Sequence, residues 1–117
     1  MDYTVKETKS YNQPTDTVIK AAAEVINQLD GKPTKKNKPE NGRLDANFNK
    51  KVKGIPLNNR IQLEVSVTSQ TPEQSTISVE AYPVDPVGNK LMFGVQGNPS
   101  RVVADAFWGD LEQRIAG

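Results

Sequence analysis

The sequence predicts an α+β fold. Its form is a two-layer sandwich in which an antiparallel sheet of four to five strands carries two amphipathic helices on one face, in the order β-α-β-β-β-β-α. Three observations predict it. Val18, Ala22, Val25 and Leu29 recur at spacings of four, three and four, the one-sided stripe of a helix. Ile61, Leu63, Val65 and Val67 alternate with Gln62, Glu64, Ser66 and Thr68, the period of a strand buried on one face. Val103, Phe107, Leu111 and Ile115 return every four residues near the end of the chain. Helices with one apolar stripe and strands with one apolar side cover each other as two layers.

Tyr3 to Lys9 alternate and give a first strand, whose modest apolar content suits a sheet edge. Asn12-Gln13-Pro14 opens the first helix, because proline lacks the N–H that would go unpaired there, and Asp16 suits the positive dipole end. Gly31 after Leu29-Asp30 reads as a left-handed stop. Lys32 to Asn41 holds two prolines, four lysines and no aliphatic residue, so it reads as a loop unable to pack. From Arg43 the period becomes two, with Leu44, Ala46, Phe48 and then Val52 inward and Asp45, Asn47 and Asn49 outward. Gly54 to Asn59 connects to the strand over Ile61 to Thr68, and Ser69 to Gln74 turns the chain. Ile77, Val79 and Ala81 form a strand that ends at Tyr82-Pro83, since proline cannot donate to a ladder. After a turn at Asp85 to Asn89, Leu91, Phe93 and Val95 form a last short strand. Asn98 caps the second helix with Pro99 in its first turn, and Arg101–Asp105 and Asp110–Arg114 pair along its wet side. Gly109, unfavourable inside a helix, implies a close approach to a neighbouring element.

Histidine and cysteine are both absent from the 117 residues. The chain therefore lacks the usual base near neutral pH, a thiolate and the best transition-metal ligands. One domain spans residues 1–117, large enough for a core without disulfides or metal. Nothing approaches eighteen consecutive apolar residues, so no membrane span is expected. The absence of a basic-then-apolar leader places the chain in the cytoplasm, with a mature exported domain as the alternative.

The element order resembles the fold grouped around the TATA-box-binding protein repeat, which also covers small bacterial domains of unknown role. Pro14-x-Asp16-x-Val18, the strand from Gly42-Arg43-Leu44 and the closing helix are similar to small uncharacterised bacterial lipoprotein-type domains. A lesser likeness is to the helix-grip fold of lipid-binding and cyclase proteins. The first resemblance implies an open sheet face but not DNA binding. The saddle of that family needs paired repeats and wedge phenylalanines, whereas here Asn47, Asn49, Gln62 and Glu64 stand on the face.

A net charge of +1 conceals a split. Between Gly31 and Arg60, the cations Lys32, Lys35, Lys36, Lys38, Arg43, Lys50, Lys51, Lys53 and Arg60 face only Glu40 and Asp45, and the remainder is acidic. This segment is a candidate phosphate or anionic-surface contact, against the reading that a lysine-rich loop is a solvated surface and strand charges protect an edge. Nucleic acid is not favoured, because Phe48, the segment's one aromatic, is in phase with the core. Tyr82, Phe93, Phe107 and Trp108 could floor an apolar pocket under the last helix, against the reading that they are core. Gly94 to Arg101 has the form of an anion-binding turn. It lacks a Walker lysine and the third glycine of a dinucleotide fingerprint, so a strand exit and helix cap explain it. Asp105, Asp110 and Glu112 have cationic neighbours and no orienting partner, which makes them surface ion pairs. No cofactor is implied. The reading that results is a soluble, non-enzymatic binding or interaction module of unknown function, with another protein as its candidate partner. The alternatives are a small lipophilic-ligand carrier or cyclase-like domain, and an electrostatic binder acting through Lys32–Lys53.

Overall fold

In the computed structural model, which describes residues 3–116, the apolar stripes meet in one core between a sheet and two helices. The elements are β1 (Val5–Tyr11), α1 (Thr15–Gln28), β2 (Lys32–Pro33), β3 (Arg43–Phe48), β4 (Lys51–Val52), β5 (Ile55–Pro56), β6 (Arg60–Thr71), β7 (Gln74–Val84) and α2 (Pro99–Ala116). Five strands form an antiparallel sheet in the order β1-β7-β6-β3-β2, while β4 and β5 pair separately as a hairpin. The fold is the α+β sandwich that the periodicities predict.

Val18, Ala22, Val25, Ile26 and Leu29 of the first helical stripe are buried against Leu44, Phe48, Ile61, Leu63, Val65, Ile77 and Val79 of the sheet. Val103, Ala104, Phe107, Trp108 and Leu111 bring α2 onto the same core. Each fully buried side chain of this size contributes about 1.5–3 kcal/mol relative to exposure. Polar contacts then fasten α2 to the edge strand. Glu7 accepts from the Arg101 guanidinium at 3.1 Å and from Trp108 Nε1 at 3.0 Å. Lys9 lies 2.9 Å from Glu112 and its ammonium sits 4.6 Å over the Trp108 ring. Asn98 caps α2, accepting from Arg101 N–H at 3.3 Å.

The structure corrects several local expectations. The last strand, Leu91–Val95, does not form. The outer edge of β7 that it would occupy is taken by β1, leaving only a bridge between Val84 and Lys90. β7 does not stop at Tyr82-Pro83 but runs to Val84. Pro83 lies beyond the first residue of β1, so its missing N–H breaks no bond to that strand, and its carbonyl accepts from Leu91 N–H at 2.9 Å. Helix α1 ends in a left-handed residue, but that residue is Asp30 (φ 74°). Gly31 N–H reaches the Ile26 carbonyl and Asp30 N–H the Asn27 carbonyl, at 2.9 and 3.2 Å, the double bond of a Schellman end. Gly31 is needed for space instead, since a Cβ there would stand 2.7 Å from Phe48 Cζ and 2.8 Å from Ile26 Cγ2. Gly109 shows the reverse, because a Cβ would meet nothing within 4 Å. No close approach explains it.

The Lys32–Asn41 segment is not an unpacked loop. It supplies β2 and a turn of 3-10 helix at Pro39–Asn41, and it straps along the edge of β3 at Asp45. Asp45, expected on a polar face turned to water or a partner, is wholly buried. Thr34 N–H donates to the Asp45 carbonyl at 2.9 Å and the Thr34 hydroxyl to Asp45 Oδ1 at 2.5 Å. Asp45 N–H donates to Asn37 Oδ1 at 3.0 Å, and the Gln62 amide donates to Asp45 Oδ1. The Asp110–Arg114 pair is also replaced. Arg114 reaches Glu24 of α1 at 2.7 Å, and Asp110 faces Lys53 at 3.7 Å.

Candidate functional site

The end of the sandwich where α1 stops, the β4–β5 hairpin projects and α2 begins carries the candidate site. Three non-glycine residues there hold left-handed backbone: Asp30 (φ 74°), Lys50 (φ 61°) and Lys53 (φ 51°). Such conformations cost of order 1 kcal/mol each and persist only where the surroundings impose them. The surroundings are identifiable. Lys53 N–H hooks the hairpin to the end of α1 through the Leu29 carbonyl at 3.0 Å, and Leu57 N–H closes back on the Lys50 carbonyl at 2.8 Å. β2 is meanwhile held on β3, Lys32 opposite Asn47.

Between these elements opens a cleft of about 390 Å³ lined by Asn27, Asp30, Gly31, Lys32, Asn49 and Lys51. Two lysines from different elements are among its lining residues, with two asparagines and one aspartate. Such a set can hold an anion while hydrogen-bonding the rest of a polar ligand. A second cleft of about 350 Å³ adjoins it through Lys32 and Asn49 and continues to Arg60 and the turn at Asp85–Gly88. That turn is fixed by Asp85, whose carboxylate accepts the N–H groups of Val87 and Asn89 at 2.9 Å each and is held below the usual carboxylate range by those bonds, Asn89 first.

Of the basic residues singled out in the sequence, Lys32 and Lys51 line the cleft, with Lys50 and Lys53 on the adjoining hairpin. Lys35, Lys36 and Lys38 are exposed along the strap, away from it. Arg43 points to the open sheet face, 2.6 Å from Glu64 and 3.5 Å from Asp45. There Tyr82 also donates to Glu64 at 2.5 Å, and burial, with that bond second, pushes its phenol far up.

The four aromatic candidates do not gather round one hollow. Phe107 and Trp108 are core, edge to face at 5.6 Å. Tyr82 is on the opposite side of the sheet, and Phe93, 83% exposed, is on the loop before α2. The carboxylates are ion pairs: Asp105 with Arg101 at 3.1 Å, and Glu112 with Lys9, whose hydrogen bond holds the Glu112 carboxyl low. Asn27, Asp30 and Asn49 were missed as site residues. Their one signal in the sequence is that each flanks a chain reversal.

No protein-family model matches the chain, and no curated protein matches it by sequence. Solved structures do match its fold. The di-domain aromatase/cyclase StfQ of the steffimycin biosynthetic pathway matches with a TM-score of 0.55 at 10% identity, over 95% of this chain and 42% of that one. The Zhui aromatase/cyclase from Streptomyces sp. R1128 matches with a TM-score of 0.50 at 12% identity, over 97% and 86%. Ara h 8.0201 matches with a TM-score of 0.53 at 8% identity, over 97% of both chains. The chain spans less than half of the di-domain proteins it matches. At these identities the likeness is one of fold. It corrects the non-enzymatic expectation: proteins named as aromatase/cyclases share this fold, so the fold does not set the chain apart from enzymes. Among the described residues no helix is long and apolar enough to cross a membrane.

Proposed function

We propose that this chain is a binding domain on the aromatase/cyclase-type scaffold and that it takes an anionic ligand in the cleft between Lys32 and Lys51. The observation that carries this reading is the convergence of two lysines with Asn27 and Asn49 around about 390 Å³, at an end of the molecule that three left-handed non-glycine residues shape. Asp30 and the C-terminal end of α1, worth about half a negative charge, oppose an anion. Lys32 and Lys51, reinforced by Lys50 beside the hairpin, outweigh both, while Lys53 is paired with Asp110.

Titration with inorganic phosphate at low ionic strength, followed by amide NMR, tests the reading. The expected result is shifts centred on residues 30–32 and 49–51, fading as salt screens the lysines and lost in the Lys32→Ala/Lys51→Ala double variant. Shifts of equal size at Lys35 and Lys36, or no shifts, would overturn it.

The shared fold supports a second reading, a small lipophilic-ligand carrier or cyclase-like domain. Since Phe107 and Trp108 fill the space beneath α2, the contact would lie at the loop before α2, where Phe93 and Met92 are 83% and 50% exposed. Equilibrium dialysis against aromatic lipophiles checks this, and retention unaffected by Phe93→Ala would count against it.

A further inference from the structure

Every exposed large hydrophobic residue among those described lies in the elements of one end of the molecule: Ile55 on the hairpin, Val87, Met92 and Phe93 on the loop between β7 and α2, and Val102 in the first turn of α2. Asn58 Nδ2 donates to the Gln96 carbonyl at 3.1 Å, tying the hairpin exit to that loop. A groove of about 130 Å³ runs between Pro56–Asn58 and Gln96–Pro99, with Val102 on its wall. On the other flank the two clefts carry the surface without a break from Lys51 through Lys32 to Arg60 and Val87.

Resting on the anion-binding reading above, we propose that the anion is presented by a lipid bilayer. In this arrangement the domain docks end-on to an anionic membrane surface, its lysines among headgroups and its apolar loop residues at the acyl boundary. Stable attachment to such a surface takes two signals, an apolar contact and a basic patch, and both are present at this end. Lys32, Lys50, Lys51 and Arg60 stand against Asp30 and Asp85, Asp85 is occupied within its own turn, and Lys53 is paired with Asp110 at 3.7 Å. The acidic remainder of the chain makes the molecule, 43 Å long and 24 Å across, a dipole, which an anionic leaflet orients. Single-stranded nucleic acid fits less well. Bases stack on rings, and four of the five exposed side chains here are aliphatic or thioether.

Co-sedimentation of the whole chain with phosphatidylcholine vesicles, with and without about one-third phosphatidylserine, tests the proposal through the salt-sensitive charge term. Binding is expected only with phosphatidylserine. It should weaken about fivefold for each of Lys32→Ala and Lys51→Ala, the equivalent of about 1 kcal/mol per cation. Phe93→Trp adds a probe at the surface, because the chain's one tryptophan, Trp108, is core. Its emission should shift to the blue on phosphatidylserine vesicles. Equal binding to both vesicles, or no blue shift, would overturn the proposal. If inorganic phosphate perturbs Lys32 and Lys51 while vesicles do not bind, the membrane proposal falls and the anion-binding reading stands. If neither probe binds, both fall. A short single-stranded oligonucleotide that competes the chain off vesicles at equal phosphate concentration would overturn the lipid assignment in favour of nucleic acid.

Discussion

Asp45 joins the basic strap to the sheet, and removing its carboxylate tests how the site is held. The side chain is wholly buried and accepts from the Thr34 hydroxyl and the Gln62 amide, with Arg43 3.5 Å away. Each hydrogen bond to a charged acceptor is worth about 1.5–3 kcal/mol net, so Asp45→Ala forfeits roughly 3–6 kcal/mol before compensation. Two effects offset the loss. Asp45 Oδ2 has no hydrogen bond and is desolvated, and Asp45 lies directly across from Glu64, a like-charge pairing that destabilises a sheet. Arg43 also keeps Glu64 at 2.6 Å when Asp45 is gone. The expected net cost for Asp45→Ala is about 3 kcal/mol, which lowers the melting temperature by about 12 °C at roughly 4 °C per kcal/mol for this size. Asp45→Asn keeps an acceptor for Thr34 and Gln62 and should cost only about 1 kcal/mol. Urea unfolding reads both as midpoint shifts at constant slope. Native-state hydrogen exchange should show the Thr34 amide released, and the phosphate shifts at Lys32 should fade, since β2 is anchored through this strap. If Asp45→Ala unfolds at the midpoint of the unaltered chain, or loses no more than Asp45→Asn, the buried carboxylate does not hold the strap and the reasoning fails.

The two glycines with opposite surroundings predict opposite signs. Gly109→Ala removes a flexible residue from an exposed helix position with open space around it, and should stabilise by about 1 kcal/mol in thermal melts. Gly31→Ala drives a methyl into Phe48 and Ile26 and should destabilise by about 1–3 kcal/mol, read as a lower urea midpoint. The third prediction concerns pH. Burial, then the charge of Glu112, pushes the Tyr11 phenol up to about 12 from its ordinary 10. The folded state therefore holds this proton more tightly than the unfolded chain. The resulting stability is complete below pH 10 and is lost as pH rises through 12. Tyr11→Phe should flatten the fall in urea midpoint across that interval, and an unchanged profile would refute the raised Tyr11 phenol.

The elements whose periodicity is set by one apolar face were legible, and those set by what the neighbouring chain leaves free were not. Val18 to Leu29, Ile61 to Val67 and Val103 to Leu111 each carry their partner surface in their own spacing, so α1, β6 and α2 follow from the sequence. Leu91, Phe93 and Val95 have the same alternation, yet they stay out of the sheet, where β1 lies along the edge of β7 that they would have joined. Phe93 is left on the surface. Asp45 misled in the other direction. Its alternation puts it on the polar side of β3 correctly, but a strap without a single aliphatic residue covers it by hydrogen bonds, for which hydrophobic patterning has no sign.

The cleft was invisible for a further reason. Left-handed backbone at Asp30, Lys50 and Lys53 shapes this end, and lysine is a residue type whose preferences point elsewhere. Local preference and global fold disagree at those positions, and the disagreement is confined to the end that also gathers the exposed apolar side chains. A chain selected for stability alone would place Asn or Gly at Lys50 and Lys53 and polar residues at Val87, Met92 and Phe93. Substituting Asn at both lysines separates the two explanations. If the lysines serve only the turn, the variant gains stability and keeps its phosphate and vesicle behaviour. If their charge serves the surface, stability rises while vesicle binding falls, and it is this divergence that the structure leads us to expect.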